Sequence, residues 1–178
     1  MKKIILLAGL PGVGKSTISK KISQEIGAKI LDLDDFKRTD VDPTLVKSQI
    51  DPPNVRWSYY KKALQHAFCL FRTSNVSAVI MDEVFHLEQL RIKIEVLCAK
   101  KNIQVFWVEV KCPYEEVEKR LKAKTREGHI LSTDEALKMN LLFQKIFETF
   151  PTDIKNHIIV NNNEDNIEIE NVLKIIGK

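Results

Sequence analysis

The stretch Gly9-Leu10-Pro11-Gly12-Val13-Gly14-Lys15-Ser16 reads G-x-x-x-x-G-K-S and follows directly on the apolar run Ile4-Ile5-Leu6-Leu7-Ala8. A buried strand that runs into a glycine-rich turn and then a helix is the setting in which such a stretch cradles phosphate. Gly12 and Gly14 let the backbone curl so that successive N–H groups face one anion. The N-terminus of a helix beginning near Lys15 adds partial positive charge. The Lys15 ammonium can reach β- and γ-phosphates, and the Ser16 hydroxyl can ligate Mg²⁺. A corner using glycine only for tightness would explain the glycines but not Lys-Ser at that offset. Gly9, Pro11, Gly12, Val13, Gly14, Lys15, Ser16 and Thr17 are therefore the candidate nucleotide-binding residues, with ATP and Mg²⁺ as expected cofactors.

The chain's 178 residues suit one domain with a sizeable core, so residues 1–178 are read as a single domain. A hydrophobic fraction of 44% beside 29% charged residues places it among ordinary globular proteins. A net charge of +4 reads as a mildly basic solvated surface rather than a nucleic-acid platform, and is compatible with a phosphorylated substrate. Cys69, Cys98 and Cys112 lack metal-ligand spacing and sit among apolar residues, which predicts buried thiols in a reducing, cytoplasmic setting. The apolar N-terminal stretch is too short for a targeting segment and runs straight into the glycine turn. No stretch approaches the length of a membrane span.

Strand-like runs alternate with helix-like ones. Strands are expected at Lys3–Ala8, Lys29–Leu33, Ser77–Met81, Ile103–Val110 and His157–Val160. Helices are expected at Lys15–Ile26, Arg56–Thr73, Leu87–Lys101, Tyr114–Lys124, Thr133–Phe150 and Ile167–Ile176. This alternation predicts a three-layer α/β fold around a five-stranded parallel sheet, in the order 2-3-1-4-5. Leu87, Leu90, Ile94 and Leu97 recur at helical spacing and read as core. Ser132 with Glu135 three residues on forms a helix-start signature. Asp51-Pro52-Pro53-Asn54 interrupts the chain, leaving Thr39–Val55 as a long irregular insertion of the sort that often carries function.

Ligands of open parallel sheets sit at the carboxyl ends of the strands, and carboxylates collect there. Strand two ends in Asp32-Leu33-Asp34-Asp35-Phe36-Lys37-Arg38, where alternation would turn Asp32 and Asp34 one way and Asp35 the other. An Asp in this place can take the proton of an acceptor hydroxyl as it attacks a γ-phosphate. Lys37 or Arg38 could clamp a substrate anion. The competing reading is an acidic cluster at the start of a following helix. Strand three runs Ala78-Val79-Ile80-Met81-Asp82-Glu83, where Asp82 could hold Mg²⁺ through water opposite Ser16, and Glu83 would suit an ATPase that activates water. Lys119, Arg120, Lys122, Lys124 and Arg126 precede Glu127-Gly128-His129, and a lid over about 120–132 could bring Arg120 or Arg126 to the triphosphate. Interspersed Glu115, Glu116 and Glu118 would salt-bridge part of that helix. The four histidines show no metal-ligand spacing. Trp57, Tyr59 and Tyr60 either stack on an acceptor or anchor their helix to the core.

Taken together, Gly9–Ser16, the Asp34-Asp35-Phe36-Lys37 turn, Asp82 after strand three and the arginine-bearing lid resemble the P-loop kinases of the polynucleotide 5′-hydroxyl kinase and zeta-toxin-like group. The resemblance covers most of the chain and implies transfer of the ATP γ-phosphate to an acceptor hydroxyl. It implies Asp34 as general base with Asp35 as the alternative, and Arg126 or Arg120 as the lid arginine. Lys37 stands where those kinases carry a substrate-binding arginine, with Arg38 one position later, and a lysine cannot make the planar two-pronged contact. The acceptor implied is a nucleic-acid 5′ end, with a nucleotide sugar or other small metabolite as the alternative. A hydrolysing ATPase of the AAA type is the second alternative. The resemblance specifies no oligomeric state.

Overall fold

The computed structural model describes residues 1–40, 50–123, 132–152, 154–163 and 169–177. Strand β1 (Lys3–Ala8) leads through the glycine turn into α1 (Lys15–Ile26) and β2 (Lys29–Asp32). Helices α2 (Leu33–Asp40) and α3 (Pro53–Thr73) precede β3 (Ala78–Glu83), α4 (Glu88–Ala99) and β4 (Gln104–Lys111). Then follow α5 (Tyr114–Ala123), α6 (Thr133–Ile146), β5 (His157–Asn161) and α7 (Glu170–Ile176). The five strands pair in parallel in the order β2-β3-β1-β4-β5, as expected from the alternation of elements.

Parallel strands need crossovers, and the crossovers cover both faces of the sheet. β1 is accordingly apolar at consecutive positions. Ile4, Leu6 and Ala8 join the core under α3 and α4, with Tyr59, Tyr60, Leu90, Ile94 and Trp107. Ile5 and Leu7 join the opposite core, with Ile18, Ile22, Val117, Leu121 and Val172. Leu87 and Leu97 pack against the first core at its margin. Ser132 accepts from the Glu135 N–H, and the Glu135 carboxylate accepts from the Ser132 N–H, completing the expected capping box. No helix among the described residues is long and apolar enough to cross a membrane.

Four expectations are corrected. Strand two stops at Asp32, and α2 takes Leu33–Asp40, so Asp34 and Asp35 stand in a helical first turn rather than alternating along a strand. The reason is local: the Asp34 N–H donates to Asp32 Oδ1 at 2.9 Å, which favours a helix start over continued pleating. The irregular insertion shrinks correspondingly, because α3 begins at Pro53, where proline suits a first helical position; residues 41–49 lie outside the described residues. Of the three thiols only Cys98 is buried, while Cys69 is exposed on α3 and Cys112 is intermediate. Helix α6 also ends at Ile146, short of Phe150, whose ring instead packs on Trp107 and His157.

Candidate active site

The parallel register brings the carboxyl ends of three strands to one level: Leu7 of β1 and Asp32 of β2 both pair with Asp82 of β3. The glycine loop stands on this edge. Gly12 and Gly14 adopt φ of 84° and 95°, a region that favours glycine. Gly14 caps α1 with no side-chain bond, so the first-turn amides are not taken by a capping side chain. A Cβ on Gly12 would lie 2.8 Å from Val117 and Leu121 of α5, and one on Gly14 would lie 2.2 Å from Asn162 Nδ2. The loop is therefore walled in by α5 and by the segment after β5. The Lys15 ammonium folds back over it and donates to the carbonyls of Gly9 at 2.9 Å and Leu10 at 3.0 Å. Ser16 and Thr17 are exposed at the start of α1.

Beside the loop, Asp82 accepts from the Ser19 hydroxyl at 3.4 Å. Burial pushes its carboxyl up, against the lowering influence of Lys15 and Ser16. Asp34 is half-buried, and burial, then the charges of Glu83 and Asp32, raise it to about 6 although Lys37 and Arg38 oppose. Glu83 behaves oppositely. Burial acts to raise it, but Arg56, the Val84 amide, Lys15 and Lys37 outweigh burial and hold it ionised. Two neighbouring carboxyls are thus pushed apart in acidity, the arrangement that separates a proton acceptor from a fixed charge. Asp35 faces the other way: it is exposed and pairs with Arg38 at 3.0 Å.

Lys37 is bound to Asp51 at 2.7 Å, and Asp51, itself 5% exposed, also accepts from the Tyr59 hydroxyl at 3.3 Å. This ion pair ties α2 to the Pro-Pro entry of α3. Arg56 is 3% exposed, donates to Glu83 Oε1 at 3.0 Å and lies over the Phe143 ring of α6. Its removal would leave Glu83 as an uncompensated, largely buried charge. Arg56→Ala is expected to lower unfolding stability by about 3–5 kcal/mol, and Glu83→Gln in the same chain to recover much of it, as read from denaturant midpoints. Tyr59 and Tyr60 are buried in the core, which settles their anchoring role, and Trp57 packs at its edge. His86 is buried against Phe143, and burial, then Arg56, lowers it to about 4, keeping it neutral.

Of the two arginines expected in a lid, Arg126 lies outside the described residues. Arg120 pairs with Glu116 at 2.8 Å and donates to the Asn162 carbonyl at 3.0 Å, which fastens α5 to the wall of the loop. Lys122 pairs with Glu118, so part of this helix is the salt-bridged surface its spacing predicts.

A family described as an AAA domain matches residues 4–144, a span that includes the glycine loop, both carboxylate strands and most of α6. The chain belongs to this family. Solved structures with the same architecture include a sugar kinase from Janibacter, 18% identical with a TM-score of 0.73, covering 99% of this chain and 95% of the other. A gluconokinase from Sinorhizobium meliloti is 14% identical with a TM-score of 0.66, over 97% and 88% of the two chains. An APS kinase from Mycobacterium tuberculosis, solved with AMPPNP and APS, is 17% identical with a TM-score of 0.65, over 99% and 98%. At such identities the likeness establishes the shared fold alone, three layers around a five-stranded parallel sheet. No curated protein matches the chain.

Several residues of this AAA-domain site carried no readable sequence signal. Arg56 and Glu83 are 27 positions apart, and nothing in the sequence marks them as a pair. Asn140 of α6 donates to the Pro11 carbonyl at 2.6 Å across 129 positions. Asn162 of the segment after β5 is buried and donates to the Val13 carbonyl at 2.7 Å.

Proposed function

We propose that this chain is a kinase that transfers the γ-phosphate of ATP to a hydroxyl group of a small polar metabolite. The observation that carries this reading is Asp34, a half-buried carboxylate raised to about 6 in the first turn of α2, just past the carboxyl end of β2. A general base is most effective when its acidity lies near the working pH. Asp34 orients the acceptor hydroxyl and accepts its proton. The Gly12–Ser16 amides and Lys15 hold the phosphates. Ser16 and Asp82 form an oxygen donor set suited to Mg²⁺, which takes one or two carboxylates and fills its remaining positions with water and phosphate oxygens. When bound, Mg²⁺ draws charge from the phosphate oxygens. Arg120 and Arg126 remain the candidates for stabilising the transferring group, and Lys37 and Arg38 those for contact with the acceptor's surroundings.

The sugar kinase, gluconokinase and APS kinase likenesses favour a small-molecule acceptor over a polynucleotide end. A Glu-driven hydrolase is disfavoured because Glu83 is committed to Arg56. The test is transfer of label from γ-labelled ATP across sugars, sugar acids, nucleosides, nucleotide sugars and 5′-hydroxyl oligonucleotides. Label on one small molecule supports the proposal. Label on oligonucleotides alone moves the acceptor to nucleic acid, and free phosphate in every reaction overturns transfer altogether.

The pH dependence follows from the same carboxyl. Asp34 accepts a proton only when ionised, so kcat/KM is expected to rise as pH increases through about 6 and to level above it. A profile flat from roughly pH 5 to 8 would assign the proton to another group.

A further inference from the structure

The glycine loop must present its amides to phosphate, and a trans peptide points each N–H opposite to the preceding carbonyl. Fixing a carbonyl therefore fixes the amide that follows. The Pro11 carbonyl accepts from Asn140 Nδ2 at 2.6 Å, so the Gly12 N–H is directed away from α6. The Val13 carbonyl accepts from Asn162 Nδ2 at 2.7 Å, so the Gly14 N–H is directed away from the segment after β5. Both asparagines are 2% exposed, so water cannot readily replace them as donors. Among the described residues, neither the Gly12 nor the Gly14 N–H meets a backbone acceptor. Both glycines have positive φ, and such peptides can rotate unless something holds them.

We infer that Asn140 and Asn162 are positioning residues for nucleotide binding, each holding one peptide plane of the loop so that the Gly12 and Gly14 amides stand ready for the phosphates. Asn162 is itself held in place. Its backbone carbonyl accepts from Arg120, its N–H donates to the Lys111 carbonyl at 2.7 Å, and the space beside Gly14 is filled by its amide nitrogen. The Arg120 side chain thereby acts on the loop from outside through Asn162. Because the amides are oriented before binding, the ordering cost is met in folding rather than on association.

This inference rests on the nucleotide reading of the loop, and its test separates the two. Asn140→Asp conserves shape but places an ionised acceptor against a carbonyl. Calorimetric affinity for AMPPNP at pH 8 is expected to fall about tenfold or more, on the scale of a buried carbonyl left without its donor. As pH falls, protonation returns a donor, and the deficit relative to wild type at the same pH is expected to shrink. A packing role would not produce that recovery. Asn162→Leu removes the second donor without charge and is expected to weaken AMPPNP severalfold, with the acceptor KM unchanged. Should Asn140→Asp fail to fold, Asn140→Ala is measured in its place, with the same severalfold weakening expected. Wild-type-like affinity in the folded variants, or a pH-independent deficit in Asn140→Asp, overturns the inference while leaving phosphotransfer standing. A wild-type chain that binds no AMPPNP overturns both.

Discussion

Replacing Lys15 with alanine is expected to reduce phosphotransfer by at least about a hundredfold, on the scale measured when a preorganised charge donor is removed from a transition state. The ammonium sits over the loop on the carbonyls of Gly9 and Leu10, at the one strand edge where Asp82, Ser16 and the glycine amides converge. Its charge also restrains Asp82, whose carboxyl burial pushes up, so its loss moves that carboxyl further toward protonation. The fold is expected to survive. The two hydrogen bonds lost are each worth about 0.5–1.5 kcal/mol, and Lys15 is partly open to solvent, where water can satisfy both carbonyls. Steady-state transfer and AMPPNP affinity, with the melting temperature as control, check this. Unchanged transfer in a folded Lys15→Ala protein would place the site elsewhere.

Asp34→Asn is expected to lower kcat by about 10²–10⁴-fold, the contribution of a positioned base, and to abolish the acid limb near pH 6. Its effect on stability runs the other way. The folded carboxyl titrates at about 6, against 3.8 for an unperturbed one, so the unfolded chain releases this proton more readily. Ionising Asp34 therefore costs stability as pH rises from about 4 to 6, and the cost is complete above that window. Asparagine avoids it. Asp34→Asn is expected to raise the melting temperature at pH 8 relative to wild type, with little difference at pH 4, where both side chains are neutral. A variant both inactive and destabilised at pH 8 would give Asp34 a structural role instead. The matching change in Asp35, which is exposed and paired with Arg38, is expected to leave kcat close to wild type.

The Arg56–Glu83 pair explains why the acidities diverge within so small a space. Arg56 holds Glu83 ionised, and that fixed negative charge, after burial, is the next cause of the rise at Asp34. Met81-Asp82-Glu83 reads equally well as a hydrolase or a kinase sequence, and the readings part only when the partner of Glu83 is known. Lys37 teaches the same lesson. Its place in the sequence suggests a contact for substrate, and only the fold shows that its ammonium is also bound to Asp51 at the entry of α3.

What the sequence determined by itself was short-range: five apolar runs separated by helical periodicity, the glycine turn with Lys15 and Ser16, and the capping box at Ser132. These depend on backbone conformations and spacings that span a few residues, so they are legible in one dimension. Only the tertiary structure decided that strand two yields to a helix at Leu33, that burial raises Asp34 while Asp35 stays exposed beside Arg38, and that Asn140 and Asn162 grip the loop. Burial and ionisation are set by what packs around a group, and those neighbours come from chain positions far apart that carry no mark of the meeting.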